Sequence, residues 1–269
     1  MYRSPTVILA DWLGSLDVEE LAGVLRRRPE VARSPAPRGL GELAERLEWP
    51  GGVAAALQSV PLPAAQLLEV VLAAEPPTRD EVARFLGVAP SDLDGPLAEL
   101  AGRALVWPDG DELRVVQPLV EGNPHPLGLG FTARELIRRW AGAELGVLAQ
   151  SLGVPTTGRR AAVLDGIEGW YADPERIRAT AARAPAGTAE LLDELTWQGP
   201  EVAVPGVVFH SLDQRIQGPA GWAVRHGLLI MTNWYAGHMP REVALALRGP
   251  DWHPPLDLTP PEVALTRVD

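Results

Sequence analysis

The sequence has no cysteine and no lysine; all 24 of its basic residues are arginine. Without thiols, disulfide frameworks, thiolate metal sites and cysteine nucleophiles are excluded outright. The arginine bias, with heavy use of Ala, Gly, Pro, Leu and Val, is what a GC-rich coding sequence would give. There is no apolar run of about 18 residues or more, so no membrane-spanning helix is expected. Nor does a basic segment followed by an apolar one open the chain, and a cytoplasmic location is the expectation. Positive charge is scarce as well. A net charge of −11 argues against nonspecific binding to nucleic acid or to an anionic membrane, since either needs a positive surface.

What is present is ample for folding. The 269 residues are enough for one large domain or two to three small ones, and a hydrophobic content of 46% supplies a core. The charge is unevenly spread: residues 1–120 carry a net −7, residues 121–185 a net +1 and residues 186–269 a net −5. The middle alone does not repel a polyanion.

The stretch from Ala65 to Leu119 reads as three helices and a hairpin, the order of a winged helix-turn-helix. Leu67, Leu68, Val71 and Leu72 repeat at helical spacing, and Pro76-Pro77 stops that helix. Thr78 with Glu81 forms a capping box ahead of Val82, Phe85 and Leu86, and Gly87 suits a left-handed end. Ser91 would cap a third helix bearing Leu93, Leu97 and Leu100. Ala104–Trp107 and Leu113–Val116, joined through Pro108-Asp-Gly-Asp111, would make the wing.

Before this stretch, Leu9, Trp12, Leu13 and Leu16 form an apolar stripe, and Asp17 with Glu20 makes another capping box. Arg26-Arg27-Arg28 closes that helix, where cations complement the helix dipole; a phosphate-binding cluster is the competing reading. Leu40, Leu43, Ala44 and Leu47 mark a further helix, and Val53 to Val60 a short one. After the Pro- and Gly-rich stretch 121–130, Thr132 and Glu135 form a third capping box, starting a helix with Leu136, Ile137 and Trp140. A helix ending at Gly153, a turn, then Gly158-Arg159-Arg160 opening a second helix resembles a SAP-type DNA-binding motif. In that family the basic pair at the second helix start faces phosphates. Pro174 would begin another helix at its first position. Helices over 188–197 and 220–226, a strand over 228–231, a turn over 233–237 and a helix over 240–247 suggest a second, degenerate winged helix. The tail from Gly249 is expected to be extended or disordered.

Catalytic constellations are missing. The segment from Gly153 to Arg160 has arginine where a phosphate-binding P-loop needs lysine and a hydroxyl, and it joins helix to helix. The histidines show no metal-ligand spacing, and the neighbours His210, Ser211 and Asp213 say little because triads assemble in space. No catalytic residue, metal ligand or cofactor is expected. Nine tryptophans, among them Trp107, Trp197 and Trp222, suit core packing or base stacking, and exposure decides which.

Several segments carry a family resemblance: Leu9-Ala-Asp-Trp-Leu13, Leu21 to Pro29, Ala98 to Trp107, Ala172 to Arg176 and Pro240 to Arg248. In these the chain resembles the amino-terminal region of actinobacterial helicase-associated-domain proteins of the XPB-like helicase family. Walker and helicase motifs are lacking, so the resemblance implies an accessory role in DNA transactions without unwinding by this polypeptide.

The expected architecture is therefore mainly α with small β-hairpin wings, as tandem winged-helix-like units joined by a SAP-like helical hairpin. Its parts are a helical unit over 1–120, a linker over 121–130, the SAP-like region over 131–185, the second winged helix over 186–249 and a Pro-rich tail over 250–269. DNA contact is expected at Arg159 and Arg160, supported by Arg134, Arg138 and Arg139. Solvated helix faces with local ion pairs are the competing reading of these arginines. A helicase or another DNA-processing protein is the expected protein partner, and a pure protein-interaction module without DNA binding is the alternative. At the third helix of 65–119, Asp92, Asp94 and Glu99 are offset by Arg103 alone, so that helix is expected to serve as scaffold or protein-contact surface.

Overall fold

Side-chain caps and prolines set most of the helix starts in this chain. A computed structural model describes residues 5–204, 218–233 and 235–259. The described residues are mainly helical with two small antiparallel sheets. They group into two units: residues up to Leu127 together with the chain from His253 to Thr259, and residues Gly128–Trp252. The expected neighbours His210, Ser211 and Asp213 and the end of the tail lie outside the described residues.

In the first unit the elements are α1 (Pro5–Ser15), α2 (Val18–Arg27), α3 (Leu40–Leu47), α4 (Pro50–Leu57), α5 (Leu62–Ala73), α6 (Arg79–Leu86) and α7 (Asp94–Ala101). Strands β1 (Val106–Asp109) and β2 (Glu112–Val115) and helix α8 (Gln117–Gly122) complete it. Helix α2 starts on a full capping box: Asp17 Oδ1 accepts from Glu20 N at 2.8 Å and Glu20 Oε2 accepts from Asp17 N at 2.9 Å. At α6 only half of the expected box forms. Thr78 Oγ1 accepts from Glu81 N at 3.2 Å, but the Glu81 carboxylate is held by Arg84 instead of reaching back. Gly87 ends α6 at φ +69°, where a residue with Cβ would be strained. Ser91 does not cap the next helix. Asp92 accepts from Ala89 N at 3.1 Å and holds a 3-10 turn, Pro90–Leu93, from which α7 continues. Helix α8 has no counterpart in the sequence pattern.

The core of this unit gathers Leu9, Leu13, Leu47, Leu67, Leu93, Leu100, Leu105 and Trp107, all essentially without solvent contact. Burying each such side chain contributes roughly 1.5–3 kcal/mol before entropy is charged. Strands β1 and β2 pair antiparallel from Val106↔Val115 to Asp109↔Glu112. The chain just before α6 joins on the other side of β2, through a bridge of Thr78 to Glu112 and a hydrogen bond from Leu113 N to Pro77 O at 2.7 Å. The strand-like order is thus Thr78, β2, β1. The described tail has no regular structure and lies on this unit: His253 Nδ1 donates to Phe85 O at 3.0 Å, and Leu256 packs on the core.

The second unit holds α9 (Ala133–Ile137), α10 (Gly142–Ser151), α11 (Arg160–Tyr171), α12 (Pro174–Ala181) and α13 (Ala186–Gln198). Then come β3 (Glu201–Ala203), α14 (Gly218–Arg225), β4 (Ile230–Met231), β5 (Ala236–His238) and α15 (Arg241–Arg248). The capping box of Thr132 and Glu135 starts α9, and Asp173 caps α12 with Pro174 at its first position. The sheet order is β3-β5-β4, all antiparallel. In both units, then, the earliest strand segment pairs with the latest one. Ile137, Leu145, Ile167, Tyr171, Ile177, Leu192 and the run Leu228–Met231 are buried in this unit. Tyr171 Oη donates to Gly227 O at 2.7 Å, tying α11 to the turn after α14. No helix among the described residues is long and apolar enough to cross a membrane.

Candidate nucleic-acid interface

Of the five arginines expected to meet DNA, Arg138 and Arg139 follow α9 and Arg159 and Arg160 open α11, while Arg134 lies in the first turn of α9. Arg160 joins the two helices: its Nη1 donates to Trp140 O at 2.6 Å and its Nη2 to Arg138 O at 2.8 Å. These carbonyls follow α9, at the negative end of its dipole, so the Arg160 charge is used to fasten one helix end to another helix start. Arg134 pairs with Glu168 of α11 at 2.8 Å. Two of the five therefore fasten α9 to α11. Arg138, Arg139 and Arg159 are exposed, and no side-chain hydrogen bond or ion pair holds them among the described residues.

Arg159 sits at the N-cap of α11, in extended conformation, with no side chain capping the helix and no acid in its first turn. Cations are unfavourable beside the positive end of a helix, and Ser, Thr, Asp or Asn usually occupy this position. The position is electrostatically wrong for the helix and right for an anion. Arg159 and Arg160 thus look alike in sequence but differ in what they do.

Other sequence expectations resolve differently. In Arg26-Arg27-Arg28, Arg26 pairs with Glu19 at 2.7 Å on the surface. Arg28 is buried, which neither a dipole contact nor a phosphate cluster describes. It donates to Glu30 Oε1 at 2.6 Å, to Arg103 O at 2.9 Å and to Leu47 O at 3.1 Å. Arg103 does not stand over the acids of the third helix as a free cation. It folds inward onto Ser59 and Glu99, with Nη2 on Ser59 O at 2.8 Å and Nη1 on Glu99 Oε2 at 2.6 Å. Asp94 pairs with Arg79. The acids of that helix are thereby engaged, while Asp92 and Asp94 stay at the surface with Asp109 and Asp111 of the hairpin.

The tryptophans divide. Trp107 is core and stacks on Trp12, ring centroids 6.0 Å apart. Trp222 lies stacked on His226 at 3.8 Å, and the His226 Nδ1 donates to Trp222 O at 2.8 Å. Trp197 is 53% exposed, yet Arg248 lies over its ring at 5.1 Å and over Trp252 at 4.4 Å while donating twice to Thr196 O. This cation–π sandwich closes the end of α13 against the end of α15. The sequence does not reveal it because Trp197 is far along the chain from Arg248 and Trp252.

The second unit also holds a carboxylate under strain. Burial pushes the Glu242 carboxyl above its ordinary range; the Ala133 N–H and Arg241 oppose this and Glu135 adds to it. Glu242 Oε2 accepts from Ala133 N at 3.0 Å, so it anchors the first turn of α9 as a second acceptor beside the Thr132 cap. Burial, with Glu242 nearby, likewise raises the Tyr171 hydroxyl far above its usual range and keeps it a donor.

Comparison with protein-family models, with curated proteins and with solved structures gives no match.

Proposed function

We propose that this chain is a non-enzymatic accessory protein of DNA transactions such as repair or transcription. In this reading it contacts DNA through Arg138, Arg139 and Arg159 and works beside a helicase-type partner. The carrying observation is the contrast at the α9–α11 junction. Arg134 and Arg160 are spent on structure, whereas Arg159 occupies an uncapped helix start that a cation destabilises. A residue kept against its local electrostatics suggests a job elsewhere. The segment order and the matching strand orders of the two units support two winged-helix-like modules around a SAP-like hairpin.

The test is a gel-shift titration with duplex DNA at about 50 mM salt, where phosphate contacts are strong. The wild type should bind, and the triple variant Arg138→Glu/Arg139→Glu/Arg159→Glu should lose at least tenfold in affinity, as expected for losing several phosphate contacts. Absence of binding by the wild type sinks the reading.

A second reading has its own support in the first unit. The start of α7 and the hairpin turn expose Asp92, Asp94, Asp109 and Asp111, and although Arg79 and Arg114 pair with Asp94 and Asp109, these acids suit a basic protein surface better than phosphates. A pull-down recovering a protein partner, with no retention on DNA, favours a pure interaction module.

A further inference from the structure

The chain from His253 to Thr259 is seated on the first unit without forming a helix or a strand. Its residues explain the extended form. Pro254 and Pro255 fix their own backbone angles and have no N–H to leave unpaired, so this stretch needs no ladder partner. His253 is held at one end, where its Nδ1 donates to Phe85 O at 3.0 Å. Its ring lies over Gly87: three ring atoms would each stand 3.0 Å from a Cβ built there, so the ring fits because residue 87 has none. At the other end Asp257 N donates to Gln66 Oε1 of α5 at 2.8 Å, and Asp257 Oδ1 accepts from Thr259 N at 3.0 Å. Between these ends Pro254 is buried and Leu256 packs on the core, while Pro255 and Asp257 face solvent. Alternate residues in and out are the pattern of an extended peptide read from one side.

The seat recognises chemistry that another chain can carry. Phe85 O takes a ring N–H, the bare backbone of Gly87 takes a flat ring, and Gln66 takes a main-chain N–H whatever its side chain. The edge of the core takes a proline and an aliphatic side chain. The tail itself fills this seat incompletely, since Leu258 stays 43% exposed and His253, Pro255, Asp257 and Thr259 are exposed as well. A segment lying on a unit in this way can lift off locally while the helices beneath it stay folded.

We infer that the face made by α5 and the end of α6 is a peptide-docking surface for an extended His-Pro-Pro-aliphatic segment of a partner protein, and that His253 to Leu258 occupy it as a displaceable strap. A foreign segment is favoured over the tail of a second copy. Exchanging tails between copies would remake the same contacts and add the cost of association, whereas a foreign segment gains wherever it fills the seat better than Leu258 does. The inference concerns the first unit alone and does not depend on the DNA reading.

The test uses a fluorescein-labelled peptide of residues 253–259 and the full chain, as wild type and with the strap opened by His253→Ala/Leu256→Asp. In an anisotropy titration the opened chain should bind the peptide at least tenfold more tightly than wild type, whose own tail competes at an effective concentration of about millimolar. A peptide carrying Leu256→Asp should not bind, and Gln66→Ala in the opened chain should weaken binding a few-fold. In wild type, amide exchange followed by NMR should show the Asp257 N–H opening far faster than the central amides of α5, a measurement that holds even if the opened chain fails to fold. A folded opened chain that ignores the peptide, or an Asp257 amide as protected as α5, overturns the proposal and makes the tail a fixed part of the unit. A wild type that is dimeric by light scattering and becomes monomeric when the strap is opened assigns the seat to a second copy and overturns it too.

Discussion

Arg28 donates from Nη1 to the backbone oxygen of Arg103 at 2.9 Å, joining the end of α2 to the residues that follow α7. The same guanidinium holds Leu47 O at the end of α3 and the Glu30 carboxylate. It is only 1% exposed, so it serves three carbonyl or carboxylate acceptors in the interior of the first unit.

Removing this side chain should therefore cost far more than a surface arginine would. Arg28→Ala leaves two backbone carbonyls and Glu30 without their donor, and the expected loss is about 3–5 kcal/mol. Arg28→Lys should recover only part of it, because one ammonium cannot reproduce the planar fork. Urea unfolding of both variants checks this. A loss below about 1 kcal/mol for Arg28→Ala, the range of an exposed ion pair, would show that the cluster contributes little.

Much of the local structure was legible because its causes are local. Asp17 with Glu20 and Thr132 with Glu135 close their capping boxes within four residues, and Gly87 takes the left-handed end its position suggests. The failures at the arginines share one cause. Whether Arg28, Arg103 or Arg160 is a free cation depends on carbonyls 20 to 75 residues away, which no spacing rule reaches. Glu81 shows the same limit at short range, since Arg84 outcompetes the cap for its carboxylate. At the candidate interface the sequence does not tell Arg134 and Arg160, which fasten α9 to α11, from the exposed Arg138, Arg139 and Arg159.

Backbone crowding gives a sharper test of the second unit. A Cβ on Gly130 would lie 2.4 Å from His238 Nε2 and 2.5 Å from Met239 O, and the carbonyl cannot step aside without moving β5. Gly130→Ala should destabilise by about 3 kcal/mol, the upper end for overpacking. Gly146, inside α10, meets nothing within 4 Å, so Gly146→Ala should stabilise by about 0.5–1 kcal/mol through helix propensity. Thermal unfolding of the pair should move in opposite directions. Equal melting temperatures would contradict the packing described around Gly130.

Glu242 predicts a pH dependence with a definite sign. Burial raises its folded carboxyl above the ordinary 4.5, so the folded chain holds this proton more tightly than the unfolded one. The group thus costs stability above its folded pKa, and that cost fades as pH falls towards 4.5. Glu242→Gln keeps an acceptor for Ala133 N–H and cannot ionise. It should be at least as stable as wild type at pH 7, with the difference shrinking as pH falls to about 5. Unfolding curves at both values decide it, and a parallel pH response of the two proteins would show that Glu242 does not contribute.

Arg159 offers the most discriminating experiment, because structure and function pull its identity in opposite directions. As the N-cap of α11 it leaves the first-turn amides without a side-chain acceptor and places a cation at the positive helix end. Arg159→Asp supplies an acceptor and reverses the charge, and the expected gain in stability is about 1 kcal/mol. The same change should weaken duplex binding about tenfold and flatten its salt dependence, since a phosphate contact is replaced by repulsion. A variant that folds better and binds worse ties the arginine to a ligand. If Arg159→Asp is more stable and binds as well as wild type, the uncapped helix start has no role in DNA contact. If it is less stable, Arg159 belongs with Arg160 among the residues that fasten α11 to the end of α9.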